Sequence, residues 1–392
     1  MERPAHGFRH HAIGMTLSLA GCMLHGACAP DQDGTASVAV PPGTPIEIDE
    51  TPYLSVGVVE GDSIQEFHRV VTPFLLPDGS LAIPVAGAHT IRVFDPDGRI
   101  LSSLGRRGEG PGEFAFLGAA WPRGDTIEVF DGRLLRITRF LPDGSHQVVP
   151  LDPVPSAQSA VPGGLPDGWA VMGVADAGMG RRDSLVVHRF GRTGAHLGEV
   201  AQTEGMARYS IGTASGPDPL SPKALFAVRR GEIYVAETLT PAIRVLDSMG
   251  ALRREITWEP DEALSPDAAF RLVVDSAVAR VEPDRAAATR QYLEAFPVQD
   301  RLSSFWDFIV DEEGFVWVRP FEPLRHTLAL GGFERAGPGG RWLIYSSQGV
   351  EVGSVEVPSE LEPAFITSEA MVGIRRDAMG VESVRVHAVK RR

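Results

Sequence analysis

Residues 68–105 read HRVVTPFLL, PDG, SLAIPVA, GAH, TIRVF, DPDG and RILSSLG: four apolar runs rich in β-branched and aromatic residues, parted by turn signals, within 38 residues. Such residues suit a half-buried pleated surface, while Pro presets φ and Gly tolerates positive φ in the turns between. The spacing predicts a four-stranded antiparallel meander. Pro-Asp-Gly recurs at 77–79, 96–98, 142–144 and 166–168, each time between two apolar runs, as in a hairpin.

The last hairpin of this unit recurs along the chain. It reads RITRF-LPDG-SHQVVPL over 136–151, VVHRF-GRTG-AHLGEVA over 186–201, IRVLD-SMG-ALRREITW over 243–258 and WLIYSS-QG-VEVGSVEVP over 342–358. Four strands per repeat at a period of about 40–50 residues predict a β-propeller, because one blade cannot bury both faces without neighbours. First strands near 68, 117, 158, 223, 303 and 363 give six blades. The last unit (PAFIT, AMVGIRRD, VESVRVHAVK) ends after three strands, so Tyr53–Val59 is expected to supply the fourth and close the ring. Closure removes sheet edges that would otherwise template aggregation. The expected fold is therefore an all-β, six-bladed propeller of four-stranded antiparallel blades over 47–392, closed by an N-terminal strand.

Ahead of it, Arg3 and Arg9 precede an apolar stretch, Ala12–Gly21, too short to span a bilayer, which needs about 20 helical residues. Residues 1–28 read as a signal segment and 29–46, rich in Asp, Pro and Gly, as a flexible tether. Leu19-Ala20-Gly21-Cys22 is similar to the bacterial lipobox, which implies lipidation at Cys22; Cys28 lacks the aliphatic residue three positions earlier. A secretory signal with a chance cysteine is the plainer alternative. The two cysteines are the whole complement, so the body has no disulfide.

With its lipobox, Gly105–Phe114 (GRRGEGPGEF) after the first blade and Asp311–Val318 (DEEGFVWV) in the fifth, the chain resembles the six-bladed β-propeller lipoproteins of high-GC bacteria, distant relatives of NHL-repeat propellers. The resemblance implies a fold and a cell-envelope location, tethered on the periplasmic side. It implies no activity, since one fold hosts many.

The net charge of −14 and the absence of a basic run argue against nucleic-acid binding. Known six-bladed calcium-dependent lactonases hold their ion with Asn and acidic residues; this chain contains no Asn. The sialidase Asp-box, His-Glu-x-x-His, Gly-x-Ser-x-Gly and Cys-x-x-Cys are also missing. Gly105–Phe114 is Gly-rich and basic, yet it follows a strand without opening a helix, so a blade-to-blade loop explains it better than a phosphate cradle. Of the histidines, His68, His89, His146, His188, His196, His326 and His387 show no ligand spacing, and Trp121, Trp169, Trp306, Trp317 and Trp342 default to core between blades.

In a meander the links from fourth to next first strand share one face with those from second to third strand. Long links at 105–116, 202–222, 259–302 and 322–340 all fall there by parity. The third carries two helices: Ser265 caps, Pro266 opens, and Phe270, Val274, Ala277, Val278 and Val281 form an apolar stripe, echoed by Ala288, Tyr292, Ala295 and Phe296. Loops on a rigid scaffold carry function, so this face is the candidate, with Arg106, Arg107, Glu109, Glu113, Arg208 and Tyr209 as its residues. The alternative is a plug for the channel mouth. The resulting expectation is a monomeric binding or scaffold module without cofactor, holding a protein, peptide or glycan partner. The competing expectation is a divalent-metal-dependent hydrolase or lyase in the central channel.

Overall fold

The computed structural model describes residues 46–57, 66–154, 157–175, 178–212, 214–260, 264–326, 339–377 and 379–391, all within one compact unit. Cys22, Cys28, the signal segment and the tether up to residue 45 lie outside the described residues.

Two short strands, β1 (Ile46–Ile48) and β2 (Leu54–Val56), open the chain. Blade one follows as β3 (Phe74–Leu75), β4 (Leu81–Val85), β5 (Thr90–Phe94) and β6 (Ile100–Leu104). Blade two is β7 (Leu117–Arg123), β8 (Thr126–Asp131), β9 (Arg136–Phe140) and β10 (His146–Pro150). Blade three holds β11 (Ala157–Leu165), β12 (Gly168–Ala175), β13 (Arg182–Gly191), β14 (His196–Ile211) and β15 (Ala214–Pro217). Blade four is β16 (Ala224–Arg229), β17 (Glu232–Glu237), β18 (Ala242–Leu246) and β19 (Leu252–Thr257). After α1 (Pro266–Val278) and α2 (Pro283–Glu294), blade five is β20 (Phe305–Val310), β21 (Val316–Pro320), β22 (Gly340–Tyr345) and β23 (Glu351–Val357). Blade six is β24 (Leu361–Ile366), β25 (Ala370–Arg376) and β26 (Glu382–Arg391).

Every sheet is antiparallel and ordered as a meander. The inner strands β3, β7, β11, β16, β20 and β24 each touch the next around a complete ring. Blade six closes as the strand count requires, with one refinement. Both N-terminal strands line the outer edge of β26: β1 pairs Ile46–Ile48 with Val389–Arg391, and β2 pairs Leu54–Val56 with Val384–Val386. The sheet thus begins one residue inside the stretch expected to be tether. The expected closing strand Tyr53–Val59 contracts to Leu54–Val56, and residues 58–59 lie outside the described set.

The first strand of blade one is shorter than its apolar run. Val70 forms only an isolated bridge to Val85, and Pro73, which has no N–H to donate, separates it from β3. Core packing lies between blades. Phe74, Leu81, Ile83, Ile91 and Phe94 are buried together with Val372, Val384 and Val386 of blade six. Four of the five tryptophans expected in the core (Trp121, Trp169, Trp317 and Trp342) are buried, and Trp306 is only half-buried.

Two buried carboxylates lock blades in a way periodicity does not announce. Glu128 on β8 accepts the indole N–H of Trp121 at 3.0 Å and of Trp169 at 2.9 Å, tying blade two to blade three, and pairs with Arg123 and Arg139. Asp311 accepts Trp317 Nε1 at 3.0 Å and Arg391 at 2.8 Å, tying blade five to the last strand. Burial pushes the Asp311 carboxyl up to about 6, against the indole and the guanidinium that favour its anion.

Candidate functional site

The face with the long links has three described parts. The first is the loop between blades one and two. Its glycines let the chain fold upon itself: Gly105 has φ +80°, and a Cβ there would collide with the Phe114 ring. Phe114 is fully buried and meets Phe140 edge-on, so the loop is pinned by its own aromatic. Arg106 pairs with Glu113 at 2.7 Å, and Glu113 also accepts the Gly110 N–H at 2.8 Å. Those two partners hold the Glu113 carboxyl below its usual range. From β9, Arg136 donates to the carbonyls of Glu109, Gly110 and Glu113 at 2.7–2.9 Å. Buried Asp131 closes the loop by accepting the backbone N–H groups of Ala115 and Phe116 on one oxygen and those of Arg133 and Leu134 on the other. Arg107 and Glu109 remain exposed.

The second part corrects an expectation. Residues 202–222 are not a long loop. β14 runs on for 16 residues to Ile211 and folds back as β15, with Arg208 opposite Pro217 and Ile211 opposite Ala214. This extra hairpin stands against the helical insertion, because strand residues Tyr209 and Ile211 supply apolar side chains that the helices need. Phe270, Val273, Val274, Ala277, Leu293 and Phe296 bury themselves against Leu220, Tyr209, Ile211 and Phe321. Ser265 caps α1 by accepting the Ala268 N–H at 3.3 Å, with Pro266 at its first position, as expected. The stripe differs in detail: α1 ends at Val278, so Val281 falls outside it, and Ala269 and Val273 join its buried face. Tyr209 meets Phe296 edge-on at 6.1 Å, and Arg208 lies 4.0 Å from Asp183. Tyr209 is therefore core of the cap, and Arg208 a half-exposed strand residue. Ring order sets these two in blade three and Arg106, Arg107, Glu109 and Glu113 between blades one and two, so the six candidates do not form one constellation.

The third part was not foreseen. At the mouth of blades four and five, buried Thr238 accepts the Lys223 N–H at 3.0 Å on its hydroxyl, which also bonds the Ser303 hydroxyl at 2.9 Å. Its carbonyl receives the Ser304 N–H at 2.7 Å. One side chain thus sets the starts of β16 and β20 beside each other. Lys223 Nζ consequently lies over the Trp306 ring, 3.8 Å from its centroid, and the His326 imidazole stacks on the same indole at 5.1 Å and 7°. His326 is 2% exposed. Its Nδ1 accepts the Glu322 N–H at 2.8 Å, while Nε2 is buried with no hydrogen-bond partner among the described residues. Burial, with Arg319, Lys223 and Arg325 around it, drives the imidazole pKa down to about 2. Nearby Asp218, fully buried at the foot of the hairpin, accepts Gln299 at 2.7 Å and the Leu220 N–H at 2.8 Å; burial raises its pKa.

These residues are scattered at 218, 223, 238, 306 and 326, with no shared motif. The one hint in the sequence is rarity, since Lys223 is one of two lysines. Of the expected link 322–340, residues 327–338 lie outside the described set. Among the described residues, no three His, Cys, Asp or Glu side chains gather into a metal-ligating group, and no helix is long and apolar enough to cross a membrane.

No known family model matches the chain, and neither does any curated protein. Solved structures do. A member of the DUF4221 family from Bacteroides vulgatus is 9% identical, with TM-score 0.50, over 89% of this chain and 100% of that one. A Bacteroides fragilis protein named as exported is 13% identical, with TM-score 0.49, over 92% and 98%. A streptogramin B lyase is 12% identical, with TM-score 0.40, over 88% and 98%. At these identities the likeness is one of fold.

Proposed function

We propose that the protein is an extracytoplasmic binding module that presents its capped propeller face to a protein, peptide or glycan partner and is held to the cell envelope by lipid on Cys22. The observation that carries the reading is the contrast between the two faces. One has mostly tight Pro-Asp-Gly-type turns, and the other has the 105–116 loop, an extra hairpin and a helical pair with its own core. Closure of a polar loop is nearly indifferent to where it sits, so a purely structural origin gives no reason for this concentration. Lys223 over the half-buried Trp306 ring adds cationic and aromatic surface at the same mouth. The lipobox-like Leu19–Cys22 supports the anchor.

The test uses the full chain in its native envelope. A photo-crosslinking residue at exposed Leu272 on α1 or at Arg107 should give a discrete adduct, and one at Asp97 or Asp143 on the opposite face should not. Adducts confined to the opposite face would reject the assignment. Mass spectrometry of the mature N-terminus should find acylated Cys22; an intact Met1 would reject the anchor.

A further inference from the structure

The chain that leads into the propeller is strapped to its last strand, and a histidine lies under the strap. β1 and β2 are three residues each and pair with β26 along its outer edge. The corner between them is held by two backbone bonds, from the Asp49 N–H to the Ala388 carbonyl at 3.0 Å and from the Tyr53 N–H to the Val386 carbonyl at 2.9 Å. Between these two points stands His387, 1% exposed, with its Nδ1 2.7 Å from the Asp49 carbonyl oxygen. A carbonyl only accepts, so Nδ1 carries the proton and Nε2 of the neutral ring is a bare acceptor. Nε2 is buried and has no hydrogen-bond partner among the described residues. A second proton would put both a charge and an unpaired N–H donor into a closed site, which costs far more than an idle lone pair.

The charged groups around the ring do not relieve that cost. Arg385, on the same strand, opposes a cation there and lies 3.9 Å from Glu360. Asp49 favours a cation, yet its carboxylate is taken by Lys390 at 2.5 Å. On β25 the residue opposite is apolar Met371, and Glu369 acts on the Tyr53 phenol. Burial and then Arg385 hold the imidazole below its ordinary 6.5.

We propose that His387 makes the strap, residues 46–56, an acid-released clasp: once Nε2 takes a proton, the ring leaves its closed site and the corner lifts from β26. The clasp sits at the rim of blade six and is independent of the binding-module reading. Little else holds the corner down, since Glu50, Thr51 and Tyr53 are exposed and the buried apolar side chains of the strap are Ile46, Leu54 and Val56. Release unpairs the outer edge of β26, and an open edge is a template for another strand. It also adds 46–56 to the chain ahead of the propeller. The docked ring has the lower pKa and the lifted ring the ordinary one. Below 6.5 the lifted form therefore binds the proton, and its population rises towards a limit of about tenfold per pH unit until the docked ring titrates as well.

The experiment is amide hydrogen exchange on the full chain from about pH 7.5 to 5, corrected for the intrinsic rate. Protection over 46–56 is expected to fall severalfold across that range, while protection of β8 in blade two stays constant. His387→Gln keeps a donor for the Asp49 carbonyl and cannot titrate, so its strap should stay protected throughout. Should that variant fold poorly, a long-range ¹H–¹⁵N correlation on wild-type His387 decides, with Nδ1 protonated, Nε2 bare and titration below 6.5 expected. Protection that is flat in the wild type, that falls equally in β8, or that still falls in His387→Gln overturns the proposal, as does the opposite tautomer.

Discussion

The loop at 105–116 and the mouth at blades four and five occupy opposite stations of one face, and they handle polar groups in opposite ways. In the loop most strong groups are spent internally, Arg106 on Glu113, Arg136 on three carbonyls and Asp131 on four N–H groups, while Arg107 and Glu109 face solvent. At the mouth, the buried His326 Nε2 has no hydrogen-bond partner among the described residues. A region that satisfies itself stabilises the fold, and a region that buries a donor unpaired among the described residues gives up stability there. A conspicuous motif can thus be structural.

That contrast breaks most readily at Asp131. Asp131→Ala removes the acceptor of four N–H groups in a buried setting and should destabilise by about 3–5 kcal/mol in denaturant unfolding. A loss under 1 kcal/mol would show that the loop does not depend on this carboxylate.

Gly105→Ala comes next. The new methyl has both a positive φ and the Phe114 ring against it, so a loss of about 2–3 kcal/mol is expected by the same measurement. A neutral outcome would mean that Phe114 swings aside freely.

The mouth should show itself through pH. His326 is neutral when folded, with its pKa lowered from 6.5 to about 2. The unfolded chain therefore binds a proton that the folded chain does not between those values. The stability this imidazole contributes is whole above pH 6.5 and falls by about 1.4 kcal/mol per unit as pH drops below it. His326→Phe should flatten that acid limb between pH 6.5 and 4.5 without lowering stability at pH 8. Identical pH profiles for variant and wild type would remove the mouth from the comparison.

The smallest effect is expected at Arg107, exposed on the loop. Arg107→Ala should change stability by less than about 0.5 kcal/mol. A larger change would give the loop a role in the mouth that its internal bonding does not suggest.

Much of this was legible beforehand, and the reason is local. Strand runs such as Thr90–Phe94, the Pro-Asp-Gly turns and the Ser265-Pro266 helix start depend on neighbours in sequence, so their pattern exposes them. The Arg106–Glu113 pairing was open because both residues also suited a partner. The reading of 202–222 as a link failed because strand length in β14 is set by Tyr209 and Ile211 meeting helices some 60 to 90 residues away. Trp306 passed for core because its burial depends on residues from other strands. No propensity carries that information.

The sequence by itself determined the six-fold repeat, the antiparallel blades, the need for an N-terminal strand on β26 and the face on which the insertions emerge. All of these follow from period, turn chemistry and strand parity. Only the tertiary structure decided that the closing edge is shared by β1 and β2, that Glu128 joins two tryptophans of different blades, and that Thr238 brings Lys223 and Trp306 together under His326. Apart from Trp121 and Glu128, seven positions apart, these contacts join residues separated by tens to hundreds of positions. Their energy comes from desolvation and geometry at the meeting point, and that point exists only once the ring has closed.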